Sequence, residues 1–327
     1  MKSTRWRKFI LLVSIIILLI ACQEIITPPK LTNHPLKIAY SPWPGYLPII
    51  IAKEKGFFQK EGVNVELFFS EETRVQVADF SAGKYDGTLQ DLGTMIIASG
   101  KNPDIRIVFV IDESAGSDAI IAPPSLETIA DLKGKSVATD LSGFGELFVI
   151  KMLETAHLTR NDINLINMAQ EKVPESLKRG EIHAGHTWEP YLSQAVKDGA
   201  KILFTSAQTP GLIPDVMAFR GSIVRDRGAD VRAFIRAWFQ AVDYWKTHPE
   251  EGNAIIAKEI NTHNSEISLK GIKLLTFNDN LKSLTPGKTT ESLYHTAELY
   301  INFFINAGSL TQPVDLQKLV DSTLIKS

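Results

Sequence analysis

The chain has 327 residues, with 35 Lys and Arg against 37 Asp and Glu, and a formal net charge of −2 at pH 7. A chain of this length can bury a large core, and about 150 residues per domain suggests two domains. The balanced charge argues against nucleic acid as a partner, because binding to the phosphate backbone needs clustered Lys and Arg. The composition therefore predicts a two-domain globular protein that does not bind nucleic acid.

The first 22 residues have the layout of an export signal. A basic patch at residues 2–8 precedes an apolar run over residues 9–21. This run is shorter than the about 20 apolar residues of a spanning helix, and the order of basic then apolar residues is typical of a secretory signal. The run ends at Cys22, which is the only cysteine of the chain. We predict a signal peptide over residues 1–21.

The tetrapeptide Leu19-Ile20-Ala21-Cys22 resembles the lipobox of bacterial lipoproteins, in which the cysteine thiol is acylated and becomes the new N-terminus. The resemblance implies an exported protein, lipid-anchored through Cys22 to the cell membrane or the outer membrane and facing the periplasm or the cell exterior. An uncleaved anchor with an incidental cysteine is the alternative. Residues 22–35 are polar and contain three prolines, which predicts a short tether.

From Leu36 onward, short β-type runs alternate with helical patterns. Strands are predicted at 36–40, 63–69, 106–111, 136–140, 164–168, 184–187 and 201–205, and helices at 46–58, at 73–82 and from 142. From residue 230 the pattern becomes mainly helical. Alternation of this kind predicts parallel sheets with helices on both faces, and thus an α/β fold.

Four segments carry a family resemblance, namely IAYSPWPGYLPIIIAKEKGFFQKEGVNVEL (38–67), DESAGSDAIIA (112–122), DLKGKSVAT (131–139) and TWEPYL (187–192). In this order they resemble the nitrate/sulfonate/taurine (SsuA-like) family of ABC-transporter solute-binding proteins. The resemblance implies a type II periplasmic-binding fold, with two lobes, each a mostly parallel sheet flanked by helices, and a ligand cleft between them. It further implies a monomer without a cofactor that delivers a small molecule to a permease and its ATPase.

The resemblance also implies limits for the two lobes. The first lobe is expected to comprise residues 36–113 plus 219–327, including the helical C-terminal part, and the second lobe residues 119–206. Residues 114–118 and 207–218 are expected to cross between the lobes as hinges.

Ligands of open α/β sheets lie outside the carboxyl ends of the strands, so the loop after the first strand is the first candidate site. It contains Ser41, Trp43, Gly45 and Tyr46. Two prolines stiffen this loop and Gly45 lets it turn, so that Trp43 and Tyr46 form aromatic walls at small entropic cost. The alternative is that Trp43 packs between helix and sheet, as large aromatic side chains usually do.

Polar candidates follow further along the chain. Gln90 offers an amide that both donates and accepts hydrogen bonds, with helix capping by its segment as the alternative. Asp112, Ser114 and Asp118 lie at the first expected crossing, where a solvated or hinge-bonding role is the alternative. Asp215 near the second crossing is a further candidate ligand-binding residue.

Two candidate positions lie in the second lobe. Ser142 and Gly143 open a predicted helix, whose free N–H groups and dipole suit an anionic group; an ordinary serine N-cap is the alternative. Trp188 and Glu189 follow another strand. We expect Trp188 to face the cleft and Glu189 to reach either the ligand or the opposite lobe.

The charge of these loops predicts the class of ligand. They contain Asp91, Asp112, Glu113, Asp118, Glu189 and Asp215, and no Lys or Arg. A cleft lined by carboxylates repels an oxyanion, whereas carboxylates and aromatic rings together hold an ammonium group. A small zwitterion or amine-bearing molecule, taurine-like rather than nitrate-like, is therefore favoured. Lys53 or Arg74 turned into the cleft would favour an anion instead.

Catalytic and metal motifs are not found in the sequence. His183 and His186 are expected on opposite faces of one strand, and the only cysteine is assigned to the lipid, so no metal site is expected. Neither a nucleophile elbow nor a phosphate-binding glycine loop is present. We therefore expect a binding protein and not an enzyme. The alternatives are a thiamine-precursor-related binding protein or enzyme on the same fold, and a lipoprotein that senses a ligand.

Overall fold

The computed structural model describes residues 34–141 and 143–326. The predicted signal peptide, the acylation site Cys22, all but the last two tether residues and Ser142 lie outside the described residues. Within these residues no helix is long and apolar enough to cross a membrane.

The described chain alternates strands and helices. The strands are β1 (Leu36–Tyr40), β2 (Val65–Phe69), β3 (Gly87–Asp91), β4 (Ile105–Ser114), β5 (Asp118–Ala122), β6 (Ser136–Thr139), β7 (Asn164–Asn167), β8 (Ala184–Trp188), β9 (Lys201–Thr205), β10 (Pro214–Arg220) and β11 (Ile272–Leu274). The helices are α1 (Pro48–Glu54), α2 (Phe57–Lys60), α3 (Thr73–Ser81), α4 (Leu92–Lys101), α5 (Phe144–Thr155), α6 (Val173–Lys178), α7 (Tyr191–Lys197), α8 (Gly221–Asp226), α9 (Gly228–Thr247), α10 (Pro249–Glu259), α11 (Phe277–Ser283), α12 (Leu293–Asn306), α13 (Leu316–Leu319) and α14 (Thr323–Lys326).

Two sheets organise these elements. The first has the spatial order β11-β4-β10-β3-β1-β2 and the second β7-β6-β8-β5-β9. In the first sheet β1 is parallel to β2 and β3, and in the second β6 is parallel to β7 and β8. The predicted two-sheet α/β class is confirmed. The pairing is mixed rather than mostly parallel, because β4, β5 and β10, which adjoin the crossings between the sheets, run antiparallel to their partners.

Strands β3, β5, β10 and β11 are not among the predicted strands, and one predicted helix is divided. Strand β3 is buried along its whole length, although its sequence GTLQD has no β-type periodicity. The helix predicted over 46–58 is divided into a 3₁₀ turn at Pro44–Tyr46, α1 and α2. Gly56, with φ of 71°, adopts the left-handed conformation that ends α1 and turns the chain into α2.

The helical C-terminal part packs against the first sheet. Helix α9 buries one face, and its Trp238 ring lies 5.4 Å from the Phe109 ring of β4. Phe234, one turn earlier, stacks on Phe58 of α2 at 5.3 Å. These aromatic contacts fix the sheet whose strand ends carry half of the site, so the site sits on a rigid support.

The two crossings between the sheets meet at one buried hydroxyl group. Ser206 Oγ lies 2.8 Å from Ser114 Oγ and accepts a hydrogen bond from the Gly116 N–H at 2.7 Å. The Ala115 N–H donates to the Gly271 carbonyl, so the helical C-terminal part also touches the first crossing. The lobe and hinge limits given above stay a prediction.

Candidate functional site

A cleft of about 450 Å³ lies between the two sheets. On the side of the first sheet it is lined by Ser41, Trp43, Tyr46, Glu71, Glu72, Thr73, Arg74, Gln90, Asp91, Thr94, Ile213 and Asp215. On the side of the second sheet it is lined by Asp118, Asp140, Phe144, Ala169, Gln170, Glu171, Lys172, Trp188 and Tyr191. Most of these residues follow the carboxyl ends of strands, where ligands of open α/β sheets bind.

The structure brings together some of the predicted ligand residues and leaves others outside the lining. Those in the lining are Ser41, Trp43, Tyr46, Gln90, Asp118, Trp188 and Asp215. Those outside it are Gly45, Asp112, Ser114, Gly143 and Glu189. Their roles in ligand binding stay predictions, and the contacts of the second group show what each of them does in the fold.

Two tryptophans meet across the cleft. The rings of Trp43, on the side of the first sheet, and Trp188, on the side of the second, are 5.7 Å apart with planes inclined by 33°. Tyr191 extends this aromatic surface, with its ring 6.0 Å from that of Trp188. Trp43 is 3 % exposed and Trp188 is half-buried, so the packing alternative for Trp43 and its place in the cleft wall are both realised.

Three buried aspartates lie side by side at the edge of the first sheet. Asp215 of β10 is paired in register with Asp91 of β3 and with Asp112 of β4. Directly opposed residues of antiparallel strands place their side chains on the same face, so the three carboxyl groups are neighbours. Asp91 also caps α4 by accepting a hydrogen bond from the Thr94 N–H at 2.8 Å.

Neutral donors stabilise this row of carboxyl groups. Trp43 Nε1–H donates to Asp112 Oδ2 at 3.0 Å, and the Tyr46 hydroxyl donates to Asp215. Burial raises the pKa of Asp112 to about 7 and the pKa of Asp91 to about 6. Burial first, and then the charge of Asp112, hold the pKa of Asp215 well above its usual range. The row therefore retains protons at pH values where ordinary carboxyl groups are ionised.

A fourth carboxylate faces this row from the second sheet. Asp118 Oδ1 lies 2.8 Å from His186 Nε2, and both side chains are buried. The His186 ring is enclosed by Phe144 and Phe148, with ring separations of 5.4 and 5.0 Å. The imidazole therefore fixes the orientation of the carboxylate that lines the cleft. His183 bonds to Ser136 at the surface, as expected for the opposite face of the strand.

Gly45 has a different role from the one that the sequence predicts. A Cβ atom at this position would lie 2.0 Å from Asp112 Oδ2 and 2.7 Å from Trp43 Nε1. The glycine is thus required for close approach of the loop to the buried carboxyl group. Turning of the loop does not demand it, because Gly45 is not among the positive-φ glycines.

The remaining residues outside the lining make structural contacts. Ser114 is bonded to Ser206 at the crossing, which corresponds to the hinge alternative for the first crossing. The Glu189 carboxylate accepts from the N–H and hydroxyl of Ser193 in α7. Gly143 is the N-cap of α5. The Asp140 carboxylate, itself paired with Arg74, already occupies the position beside this N-cap, which disfavours the predicted anion site.

Arg74, whose presence in the cleft was expected to favour an anion, lines the mouth of the cleft together with residues that the prediction did not include. The Arg74 guanidinium, at the start of α3, forms an ion pair with Asp140 on the side of the second sheet. Arg74 and Lys172 are the two basic side chains of the lining, against seven acidic ones, namely Glu71, Glu72, Asp91, Asp118, Asp140, Glu171 and Asp215. Lys53 bonds to Glu259 at 2.5 Å and is not part of the lining. The loop before α3 follows β2, so the strand-end rule would have found Glu71 and Glu72.

Three buried N–H groups have no hydrogen-bond partner within the described part of the chain, and two of them belong to side chains that line the cleft. These two are Nε2 of Gln90, a side chain that is 2 % exposed, and Nε1 of Trp188. A buried donor without an acceptor costs about 1–3 kcal/mol. The cleft therefore combines unused neutral donors with partly protonated carboxyl groups and aromatic rings.

The fold and the site define a two-sheet α/β protein with a ligand-sized cleft between its sheets. Residues 43–252 match the model of the NMT1/THI5-like family, and the chain belongs to this family. A Brucella abortus protein named as a binding protein is 26 % identical over 292 residues, covering 86 % of this chain and 89 % of the relative. A Haemophilus influenzae protein named for thiamine biosynthesis is 28 % identical over 238 residues, covering 69 % and 74 %.

Solved structures share this fold. The alkanesulfonate-binding protein SsuA of Xanthomonas axonopodis, bound to MOPS, has a TM-score of 0.72 and 15 % identity, covering 88 % of this chain and 98 % of that one. The desulfurization enzyme DszB has a TM-score of 0.68 and 15 % identity, covering 89 % and 97 %. The predicted fold of the SsuA-like solute-binding proteins is thereby confirmed.

The close approach at Gly45 gives a test of the site's construction. In Gly45→Ala the new methyl group displaces the Asp112 carboxyl or the Trp43 ring, so we expect the free energy of unfolding to fall by about 1–3 kcal/mol. Chemical denaturation measures this change. Gly228→Ala is the control, because the nearest atom to its Cβ, in Arg232, would be 3.6 Å away. Equal stability of Gly45→Ala and wild type would contradict the assignment.

Proposed function

We propose that this protein is the solute-binding component of an ABC importer and that its cleft binds a small amine-bearing molecule, which it delivers to a permease and its ATPase. The observation that carries the proposal is the buried row Asp91, Asp215 and Asp112, faced by Asp118 across the cleft. The fold of the SsuA structures and the Brucella relative named as a binding protein support the general class.

The chemistry of the lining favours a cationic group on the ligand. Carboxylates buried without cations are costly, and an ammonium group would supply both the charge and the hydrogen-bond donors that they need. Trp43 and Trp188 offer aromatic faces beside these carboxylates, where a cation–π contact contributes about 0.5–2 kcal/mol. The amine therefore belongs at Asp215 and Asp118, between the two sheets.

The unused donors favour an acceptor on the same ligand. Gln90 Nε2 and Trp188 Nε1 would bond to an oxygen or a ring nitrogen close to the amine. A taurine-like zwitterion satisfies this pattern through its sulfonate oxygens. A flat aminated heteroaromatic ring, such as a thiamine precursor, satisfies it as well, and the Haemophilus relative named for thiamine biosynthesis makes it the second candidate.

A binding role is favoured over catalysis. The fold also occurs in the enzyme DszB, so fold alone does not decide between the two. The only cysteine of this chain is Cys22, which the sequence assigns to lipid attachment, so no cysteine nucleophile is left for the cleft. The buried carboxyl groups of the cleft are suited to binding an amine. We propose a monomer without a cofactor, with the lobe limits given by the sequence.

A thermal-shift screen tests the ligand class. Taurine, thiamine precursors and simple amines form one set, and nitrate, bicarbonate and plain alkanesulfonates form the other. We expect stabilisation by the amine-bearing set, since a ligand at a hundred times its Kd adds about 2.7 kcal/mol. Stabilisation by nitrate or a plain alkanesulfonate, with no response to any amine, would show that the proposed ligand class is wrong.

Two conservative tryptophan variants separate binding from folding. Trp188→Phe removes an N–H that has no partner among the described residues, so we expect unchanged stability and about tenfold weaker binding of the best amine in the screen. Trp43→Phe removes the indole N–H that donates to the buried Asp112, so we expect lower stability. Calorimetric titration and denaturation of both variants measure these effects. Equal losses of stability in the two variants would contradict the different roles of the two N–H groups.

We further propose that Cys22 carries the lipid that anchors the exported protein. Acylation needs the thiol, so Cys22→Ser is expected to yield an unlipidated precursor. Metabolic labelling with a fatty acid followed by immunoprecipitation measures the attachment. The same incorporation of label into variant and wild type would refute the assignment.

A further inference from the structure

Asp112 is the one member of the aspartate row that does not line the cleft. It is fully buried and lies directly opposite Asp215 in the β4–β10 register, so the two carboxyl groups are neighbours. Two neighbouring buried carboxyl groups repel each other when both are ionised, and a proton on one of them lets that group donate a hydrogen bond to the other. Asp215 lines the cleft, so a proton shared by the pair lies at the surface that a ligand would touch.

The partners of the pair explain where the charge resides. The Trp43 N–H donates to Asp112 and the Tyr46 hydroxyl donates to Asp215, so each carboxyl group has one neutral donor. Within the described residues neither aspartate forms an ion pair with Lys, Arg or His. A pair of buried carboxylates with two neutral donors and no cation does not hold two negative charges, which repel strongly in a medium of low polarity.

The titratable groups around the pair are mostly acidic. They are Tyr46 from the 3₁₀ turn, Asp91 from β3, Glu113 from β4, Asp118 from β5 and Tyr300 from α12. Glu113 is paired with Lys273 of β11, Asp118 with His186 of β8, and Arg74 with Asp140. The other basic residue of the lining, Lys172, is exposed. The neighbours therefore reinforce retention of a proton by the pair.

We propose that Asp112 and Asp215 share one proton in the unoccupied cleft and give it up when an ammonium group of the solute binds, so that the site takes up a cation in exchange for a proton. No covalent bond to carbon changes. The ammonium N–H groups replace the shared proton at Asp215, both aspartates become carboxylates, and the proton leaves to water. The exchange rests on the proposed function, whereas the shared proton of the unoccupied protein does not.

The exchange makes Asp112 a specificity-determining residue that acts through Asp215. A neutral solute cannot compensate a second negative charge on the Asp112–Asp215 pair. The shared proton therefore stays in place, and no ion pair with the solute forms. A cationic solute binds more tightly as the pH rises, because the complex holds one proton fewer than the free protein. The raised pKa of Asp112, about 7, places this dependence in the neutral range.

Infrared difference spectroscopy of the unoccupied protein tests the shared proton. The C=O stretch of a protonated carboxyl group is separate from the amide bands and shifts on substitution. We expect this band in wild type at pH 7 and its loss in Asp112→Asn, because the new amide N–H donates to Asp215 and stabilises its ionised form. The control Asp198→Asn changes an exposed carboxylate paired with Lys178 and should retain the band. Absence of the band in wild type would overturn the proposal.

Calorimetric titration with taurine and with benzylamine tests the exchange. Measurements in two buffers of different ionisation enthalpy give the number of protons released per bound amine. We expect up to one proton for wild type and Asp198→Asn, with affinity rising by up to tenfold per pH unit between pH 6 and 8. For Asp112→Asn we expect release of nearly zero protons per bound amine, and an affinity for the amine that does not depend on pH.

The two experiments distinguish failure of the exchange from failure of the proposed function. Amine binding by wild type without proton release would overturn the exchange and leave the proposed function intact. Binding of nitrate or a plain alkanesulfonate in place of either amine would overturn the proposed function and the exchange together. In that case the infrared band would still decide whether the pair shares a proton, since it is measured without ligand.

Discussion

Burial of several carboxyl groups without a compensating cation is the constraint on which this site depends. Three aspartates at adjacent strand ends, Asp91, Asp215 and Asp112, are buried, and among residues 34–141 and 143–326 their hydrogen-bond donors are neutral groups. Several local features accommodate these three carboxyl groups. Gly45 leaves room for a carboxyl group, Trp43 turns its N–H inward, and a helix begins where Asp91 can cap it. The first sheet thus has a buried polar edge, and its own residues meet the hydrogen-bonding and charge requirements of this edge only in part.

The sequence was sufficient for the α/β fold class and for part of both walls of the cleft. Alternating strands and helices predicted an α/β fold, and the strand-end rule placed Trp43, Gln90, Trp188 and Asp215 at the cleft. These predictions were possible because they depend only on local sequence patterns. Strand β3 was not predicted. Its five residues are buried by neighbouring strands and helices, and the short sequence GTLQD has no pattern that indicates this burial.

Pairwise relations between distant residues could not be predicted. Asp215 and Asp112 are 103 positions apart and become neighbours only through the register of β4 and β10. The same holds for Arg74 and Asp140, and for the hydroxyl pair at the crossings. Composition gave the correct sign of the cleft's charge. Which carboxyl groups share a proton follows only from distance and burial, and neither is visible along the chain.

The tryptophan pair gives the protein an optical property of its own. Two indole rings 5.7 Å apart, one from each side of the cleft, couple their electronic transitions strongly. Coupling of this kind produces paired circular-dichroism bands of opposite sign, whose intensity falls steeply as the rings separate or reorient. Because the contact bridges the two sheets, these bands register movement of one sheet relative to the other without any added dye. The circular-dichroism spectrum of the unlabelled protein therefore reports how far the cleft is open.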